Sequence, residues 1–406
     1  MDNITHSVVG LGVGELLQRS LPREADPARQ QTRHRLLLTA CAAASNFPDL
    51  DLVFTRLAPG PLGYLLHHRG HTHTLLFLLP QALLLLALLW ALWPNARALL
   101  RESSAARRGL VLALAAGFLL HLSMDLLNNY GVHPFYPFSG AWYFGDMIYI
   151  IEPLFWVVFG VPLAMSMQAR RARLLLLASL PIILLYVTVH GYLGWASFGA
   201  LLVLGAGVAA LRFMHMQSRR ALLLALGIAA AYVGLQASMS HKARQAVTAA
   251  LVLADPQARV LDVALTAFPS QPLCWSFASV ESDGTHYLLR RGHLSLAPER
   301  LPPQDCPAAL AAGARDEAKA IVPGVLVSKS WQGNVAALRE GVRSNCRLEA
   351  WMRFARMPMV DGSFANDLRF ATTPRGNFTT LPLAAQAPCA FDVPAWDMPR
   401  RDLLQP

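Results

Sequence analysis

The chain has 406 residues, 54% of them hydrophobic and only 15% charged, with a mean hydropathy of +0.36. That is too apolar for a soluble domain of this length, and long stretches free of charge indicate a membrane protein. The net charge of +10 is no nucleic-acid signature: much of the excess falls in short arginine-bearing loops, residues 240–406 hold 18 basic against 15 acidic residues, and no basic stripe interleaved with aromatics occurs.

The first residues, Met1-Asp2-Asn3-Ile4-Thr5-His6, carry an acid and are followed by no arginine before Arg19, unlike a cleaved signal peptide, so this stretch is read as retained. Two short apolar segments follow, Ile4 to Leu17 and Leu36 to Phe47; their length is compatible with either crossing or only entering a bilayer. The clear spans are Thr74 to Trp93, Gly109 to Leu127, Met147 to Met167, Leu174 to Leu193, Ala196 to Met214 and Ala221 to Ala237. Before residue 241 every basic residue is arginine, and all but Arg56 and Arg69 fall within Arg19 to Arg35, Arg97 to Arg108, Arg170 to Arg173 and Arg212 to Arg220. The positive-inside rule makes those four loops cytoplasmic. Alternating the spans from there brings His6, Asp49, Asp51, His67 to His73, His121, Asp125, Asp146, Glu152 and His190 to or near the opposite face, although the charge rule used none of them.

The last span delivers the chain to that same outer side, where residues 240–406 lack any long apolar run. Cys274, Cys306, Cys346 and Cys389 are an even set in a compartment that the topology makes oxidising, which predicts two disulfides with the pairing open. The alternative, a structural zinc site, has no C-x-x-C or nearby histidine spacing behind it. Cys41, inside an apolar segment, reads as a buried thiol. Ser276 to Val280 and His286 to Leu289 flank Ser282-Asp283-Gly284, a hairpin signal; Asp361-Gly362 precedes a strand candidate at Phe364 to Phe370, and Val335 to Arg343 reads as a short helix. The expected fold is mostly α: a polytopic helical membrane bundle over residues 1–239, with a small α+β soluble C-terminal domain over 240–406.

Polar residues beside or inside the spans carry the chemistry. His121 and Asp125, four apart within an otherwise apolar run, share one helix face. A charged residue inside a span costs roughly 2.5 to 3.5 kcal/mol, so such residues usually face a functional cavity. A divalent ion would offset the buried carboxylate; an interhelical hydrogen-bonded pair is the plain alternative. Pro48 is expected to end the preceding helix and leave an extended stretch in which Asp49 and Asp51, two apart, project to one side as paired acids; an Asx turn or helix cap would also account for either.

Four histidines lie within His67 to His73, interrupted by Gly70, and packing alone does not explain that density. Arg69 among them has the planar fork that binds phosphate or carboxylate. Thr72 or Thr74 can cap the helix that follows. His6 stands alone on the first helix, His133 in a loop rich in turn formers, and His190 without an acidic neighbour. Asp146 and Glu152, six apart, would not share a helix face; Asp146 reads as an N-cap, and Glu152 as a metal ligand or an orienter of a histidine.

Taken together, the D-x-D after a proline (Asp49, Asp51), the H-R-G-x-T-H run (His68 to His73), the H-x-x-x-D on a span (His121, Asp125) and the D-x-x-Y-x-x-E-P-L block (Asp146 to Leu154) resemble the YdjM-like family of predicted inner-membrane metal-dependent hydrolases. The resemblance covers roughly residues 1–240. The family pattern carries an apolar residue where this chain has His71, and often Asp where it has Glu152. What the resemblance implies is a bacterial inner-membrane location and a ligand assignment for His68 and His73 rather than His71. Its hydrolase label leaves the substrate class open.

The combined expectation is a membrane enzyme with a periplasmic-side metal site and a disulfide-bearing tail. One or two divalent ions, zinc or manganese, would be held by Asp49, Asp51, His68, His73, His121 and Asp125, with His6 as a further candidate, and would activate water against an ester or phosphoester. Arg69, Glu152 and Asp146 are the candidate catalytic residues, Arg69 holding an anionic group. The lipid bilayer is the expected partner, a lipid or lipid-linked anionic substrate suits a membrane-surface site, and no nucleic acid is expected. The rival readings are a metal transporter or sensor, which would want a matching ligand set on the cytoplasmic half, and a non-catalytic scaffold, which leaves the histidine cluster unused.

Overall fold

The computed structural model describes residues 1–214, 216–307, 318–370, 377–383 and 391–405. The helices are α1 (Asn3–Ser20), α2 (Pro27–Ala44), α3 (Pro61–His67), α4 (Leu75–Leu92), α5 (Pro94–Glu102), α6 (Ser104–Leu126), α7 (Pro153–Ser166), α8 (Arg170–Val189), α9 (Trp195–Phe213), α10 (Ser218–Ala254), α11 (Val335–Ser344), α12 (Cys346–Met352) and α13 (Arg401–Leu404), with 3-10 segments at Phe47–Leu57 and His71–His73. The strands are β1 (Arg259–Phe268), β2 (Gln271–Ser282), β3 (His286–Ser295), β4 (Lys319–Val322), β5 (Val325–Asn334), β6 (Pro358–Val360), β7 (Phe364–Asp367) and β8 (Leu381–Pro382). The chain is mostly helical with a sheet-containing C-terminal region, and among the described residues five helical stretches are long and apolar enough to cross a membrane: Pro27–Leu57, Leu75–Leu92, Ser104–Leu126, Arg170–Val189 and Ser218–Ala254.

Two compact units divide the chain. One comprises Met1–Leu50, Thr72–Leu127 and Tyr149–Leu235; the other comprises Asp51–His71, Asn128–Ile148 and Gln236–Pro406. The tail thus shares its unit with two segments from the first half of the chain.

In the helical unit α1, α2 and α6 pack against one another, while α7 packs on α1, α8 and α9. Small residues set how closely they approach. A Cβ on Gly117 of α6 would stand 2.6 Å from the Cys41 carbonyl oxygen of α2, and one on Gly10 of α1 would stand 3.0 Å from Ala42 Cα. Only glycine admits backbones so near, which is how helices associate where lipid removes the hydrophobic drive. By contrast α4 and α8 bury only 11% of their apolar windows, as lipid-facing helices would.

The second unit holds an antiparallel sheet in the order β1-β2-β3-β5-β4 and a smaller one in the order β6-β7-β8. The hairpin expected at Ser282-Asp283-Gly284 is the β2–β3 turn, with Gly284 at φ 93°. Ala243, Val247 and Leu251 from the second half of α10 pack on Val263, Leu265 and Trp275 of the larger sheet. Leu62, Leu65 and Leu66 of α3 join Trp351, Phe354 and Trp396 in the larger core of this unit. Cys274 and Cys306 form a disulfide, and Cys346 is also disulfide-bonded; Cys389 lies outside the described residues. Cys41 is a buried free thiol.

Several expectations change. The stretch after Asn46 is not extended: Phe47–Leu57 is a 3-10 helix that tolerates Pro48 in its first turn, where no N–H is required. The span expected from Met147 begins as a helix only at Pro153, because Glu152 is the N-cap and accepts from Leu154 N. Asp146 is therefore no N-cap; it stands at φ 55° in the preceding irregular segment. The helix that carries the last expected span continues past Ala237, since α10 runs unbroken for 37 residues to Ala254.

An ionic network ties the loop 128–148 to the tail within the second unit. Arg356 Nη1 donates to Asp146 Oδ1 over 2.9 Å, its Nε donates to Asp262 Oδ2 over 2.7 Å, and Arg244 Nη2 donates to Asp146 Oδ2 over 2.6 Å. Burial opposes charge on Asp262, yet Arg356, Arg400 and Arg244 hold its carboxyl well below the usual carboxylate range. Burial likewise opposes the Arg356 charge, and Asp146 and Asp262 more than restore it.

Because the Asp262 pKa is depressed by folding, its contribution is complete above the unfolded value of about 3.9 and is lost as pH falls through the folded one. Arg356→Met strands buried carboxylates and is expected to cost about 3–5 kcal/mol near neutral pH. Chemical denaturation of both proteins across the acid range checks this. The difference between them should shrink as pH falls below about 4, because the unfolded chain then protonates Asp262 while the folded protein, with Arg356 in place, does so only at lower pH.

Candidate metal centre

Four buried side chains meet inside the helical unit. Asp49 in the first turn of the 3-10 helix, His73 just before α4, and His121 and Asp125 on one face of α6 each offer one ligand atom, and these four atoms all lie within 4.8 Å of one another. His73 Nε2 is 2.9 Å from His121 Nε2, 3.4 Å from Asp49 Oδ1 and 3.3 Å from Asp125 Oδ2. His121 Nε2 is 3.6 and 3.7 Å from the same two oxygens. Tetrahedral ligands about 2.0–2.2 Å from a zinc-sized ion stand about 3.3–3.6 Å from each other, so this donor set has the spacing of a ligand shell. Two carboxylates also match the charge of one divalent cation. The cluster could hold a metal ion.

The surroundings fix the donors. His121 Nδ1 lies 2.7 Å from the Ser45 carbonyl oxygen. A carbonyl only accepts, so Nδ1 carries the proton and, in the neutral ring, Nε2 turns its lone pair toward the cluster, as in a metal-ligating histidine. The Gly117 contact with α2, one turn before His121, allows this bond by bringing the two backbones together.

His73 is held by its neighbours. Its Nδ1 is 3.0 Å from Thr72 Oγ1, Gln81 Nε2 donates to the Thr72 carbonyl over 2.8 Å, and Thr74 caps α4 by accepting from Phe77 N. Asn3 Nδ2 donates to Asp49 Oδ2 over 3.0 Å. Asp125 Oδ1 accepts from the Met1 amine and lies 3.2 Å from His6 Nε2, while the His6 ring stacks on His121 at 4.2 Å between centroids.

Asp51, His68 and Arg69 stand in the second unit, where Asp51 Oδ1 is 2.9 Å from His68 Nδ1 and its Oδ2 accepts from Arg69 N over 2.9 Å. Arg69 has φ 56°, donates to Asn128 Oδ1 over 2.9 Å and lies over the Tyr130 ring at 4.8 Å. A left-handed backbone on an arginine is a strained feature that a built site can retain. The Asp146 carboxylate is engaged by Arg356 and Arg244. Glu152, in the helical unit, caps α7 and accepts from Tyr232 Oη over 3.1 Å.

His71 packs against Tyr136 and Trp396, His133 lies between Trp142 and Trp396, and His190 is exposed. Burial lowers the pKa of both His67 and His71. Asn3, Ser45 and Thr72 were not expected at the site. Asn3 and His6, one turn apart on an apolar segment, were a usable signal; a backbone carbonyl such as that of Ser45 leaves none.

Residues 1–197 match the family model described as YdjM inner membrane protein. The chain is also 28% identical over 157 residues to the uncharacterized protein YfhP of Bacillus subtilis, a match that covers 39% of this chain and 43% of that relative. The aligned stretch therefore spans less than half of the relative's length. No solved structure matches the chain.

If the α2–α6 approach positions His121, then Gly117→Val should separate the helices and weaken metal affinity by about 10- to 100-fold, the range seen when a ligand's support is lost. Metal titration of the purified variant checks this. Gly199→Val, where an added Cβ meets nothing within 4 Å, is the control and should leave affinity unchanged.

Proposed function

We propose that this chain, whose residues 1–197 match the family model described as YdjM inner membrane protein, is a membrane-bound metal-dependent hydrolase acting on an ester or phosphoester. The observation that carries the reading is the buried group Asp49, His73, His121 and Asp125, whose donor types and spacing fit a divalent ion such as zinc or manganese. A divalent ion held there supplies a water acidic enough to attack at neutral pH and a Lewis acid for the substrate oxygen.

The protein's own part is to prepare that centre. Asp49 and Asp125 balance the ion's charge, and Asn3 orients Asp49. His121 is locked in one tautomer by Ser45. His6, 3.2 Å from Asp125 and stacked on His121, is placed to take up or return a proton as the centre turns over. Arg69 is the group proposed to bind an anionic part of the substrate, and Glu152 positions the start of α7 through its cap.

A periplasmic side for the chemistry is part of the same proposal. What supports it is the positive-inside rule: the clusters Arg19 to Arg35, Arg97 to Arg108, Arg170 to Arg173 and Arg212 to Arg220 alternate along the chain with the arginine-poor stretches 48–73, 128–148 and 190–195.

Asp125→Ala and His121→Ala should lose bound metal and hydrolysis of model phosphoesters or esters while still inserting in the membrane, because removing a buried charge lowers the cost of insertion. Asp125→Asn separates this from a packing role, in which an amide could still bridge helices and activity would persist. Arg69→Lys keeps the charge without the fork, so metal content should hold while turnover of an anionic substrate falls. Unchanged metal content in Asp125→Ala would remove this residue from the ligand set. A reporter that works only in the periplasm should be active within the loop 128–145 and silent after Arg108.

A further inference from the structure

Two segments of the second unit expose large apolar side chains to an unusual degree. On the 3-10 helix Phe47–Leu57 these are Leu52, Val53, Phe54 and Leu57, with Val53 66% exposed; in the loop that follows α6 they are Phe135 and Phe138, the latter 87% exposed. Soluble surfaces seldom carry such clusters unless something covers them.

The chain itself indicates the cover. Pro27–Leu57 is one candidate membrane stretch of 31 residues, within which α2 has 18. The first half of α2 carries Arg29, Arg33 and Arg35, so the crossing is measured on α6, whose apolar part, residues 109–126, is about 27 Å long at 1.5 Å per residue, close to the hydrocarbon thickness of a bilayer. Asp49, in the first turn of the 3-10 helix, meets His121 and Asp125 in the last turns of α6, so the 3-10 helix starts where that crossing ends. The same holds for Phe135 and Phe138, which follow within a dozen residues of the end of α6 at Leu126. Exposed aromatic and aliphatic residues with an arginine among them, here Arg56, are the composition of segments that rest in the headgroup layer with their apolar side in the acyl boundary.

We infer that the 3-10 helix Phe47–Leu57 and the Phe135–Phe138 loop are seated in the headgroup–acyl boundary of the bilayer, and that the substrate is an amphiphile whose ester or phosphoester lies at that depth. The second half rests on the hydrolase reading. It follows because Asp49, a proposed metal ligand, belongs to the same 3-10 helix, and because His121 and Asp125 fall in the last turns of α6, near the depth at which that helix ends. The bond to be cleaved would be reached at the junction between headgroup and acyl chain, without extraction of the lipid into water.

The experiment uses the full chain reconstituted in phosphatidylethanolamine–phosphatidylglycerol vesicles. Val53→Cys and Phe138→Cys, each carrying a polarity-sensitive fluorophore, should be quenched by a lipid spin-labelled high on its acyl chain and protected from iodide. Glu340→Cys, on an exposed turn of α11, is the water-accessible control. Iodide quenching of the first two equal to that of the control would overturn the seating.

For the substrate, the triple variant Leu52→Ser, Phe54→Ser, Phe138→Ser should hydrolyse a long-chain phosphodiester embedded in the vesicles about tenfold or more slowly, having lost apolar area in the boundary. Its rate on water-soluble bis-para-nitrophenyl phosphate should be unchanged. Equal loss on both substrates, or none on either, would refute the amphiphile assignment. A wild-type protein that binds metal and cleaves neither substrate would refute the hydrolase reading, while the quenching result would still decide the seating.

Discussion

Everything in the helical unit turns on keeping two carboxylates and two imidazoles together inside an apolar bundle. Each charged residue inside a span costs roughly 2.5 to 3.5 kcal/mol, and two like charges in one cavity oppose each other further. The Met1 amine, Asn3 and His6 meet part of the hydrogen-bonding demand of Asp49 and Asp125. A divalent cation would meet the electrostatic demand at once, which explains why such a group survives among leucines and alanines. The price is geometric: α2 and α6 must touch backbone to backbone, and Gly117 is the residue that permits it.

The second unit relies on a different device. Its loop 128–148 has little regular structure, and Arg356 fastens it to the tail by joining Asp146 to Asp262 in one buried network. Arg369 repeats the theme, bonding Asp367 and the carbonyl oxygen of Asn129. A buried arginine with two carboxylates has its desolvation cost repaid only when every donor is placed, so such a network specifies one arrangement of the loop more than it adds stability. Segments from three parts of the chain thereby share one core, which includes Leu62, Tyr130 and Trp351.

Much of this was legible in the sequence where the physics is local. Uninterrupted apolar runs located α4, α6, α8 and α9, and a four-residue interval put His121 and Asp125 on one face. The hairpin at Asp283-Gly284 and the helix at Val335 followed from turn chemistry and pattern. What escaped was set by distant partners or by backbone detail. Asp146 looked like a cap because its true partners, Arg244 and Arg356, are 98 and 210 residues away. The stretch after Pro48 looked extended because proline often ends a helix, whereas here Pro48 sits in the first turn of a 3-10 helix. Hydropathy carried the expected span back to Met147, although Pro153 and the Glu152 cap start the helix there.

The proposed chemistry requires that Asp49, His73, His121 and Asp125 form a metal shell. X-ray absorption at the edge of the metal retained by the purified protein tests it directly. A first shell of two imidazole nitrogens and carboxylate oxygens at about 2.0–2.2 Å is the predicted result, with the imidazole signal reduced in His121→Ala. A shell of oxygen alone, or one that His121→Ala leaves unchanged, would contradict it.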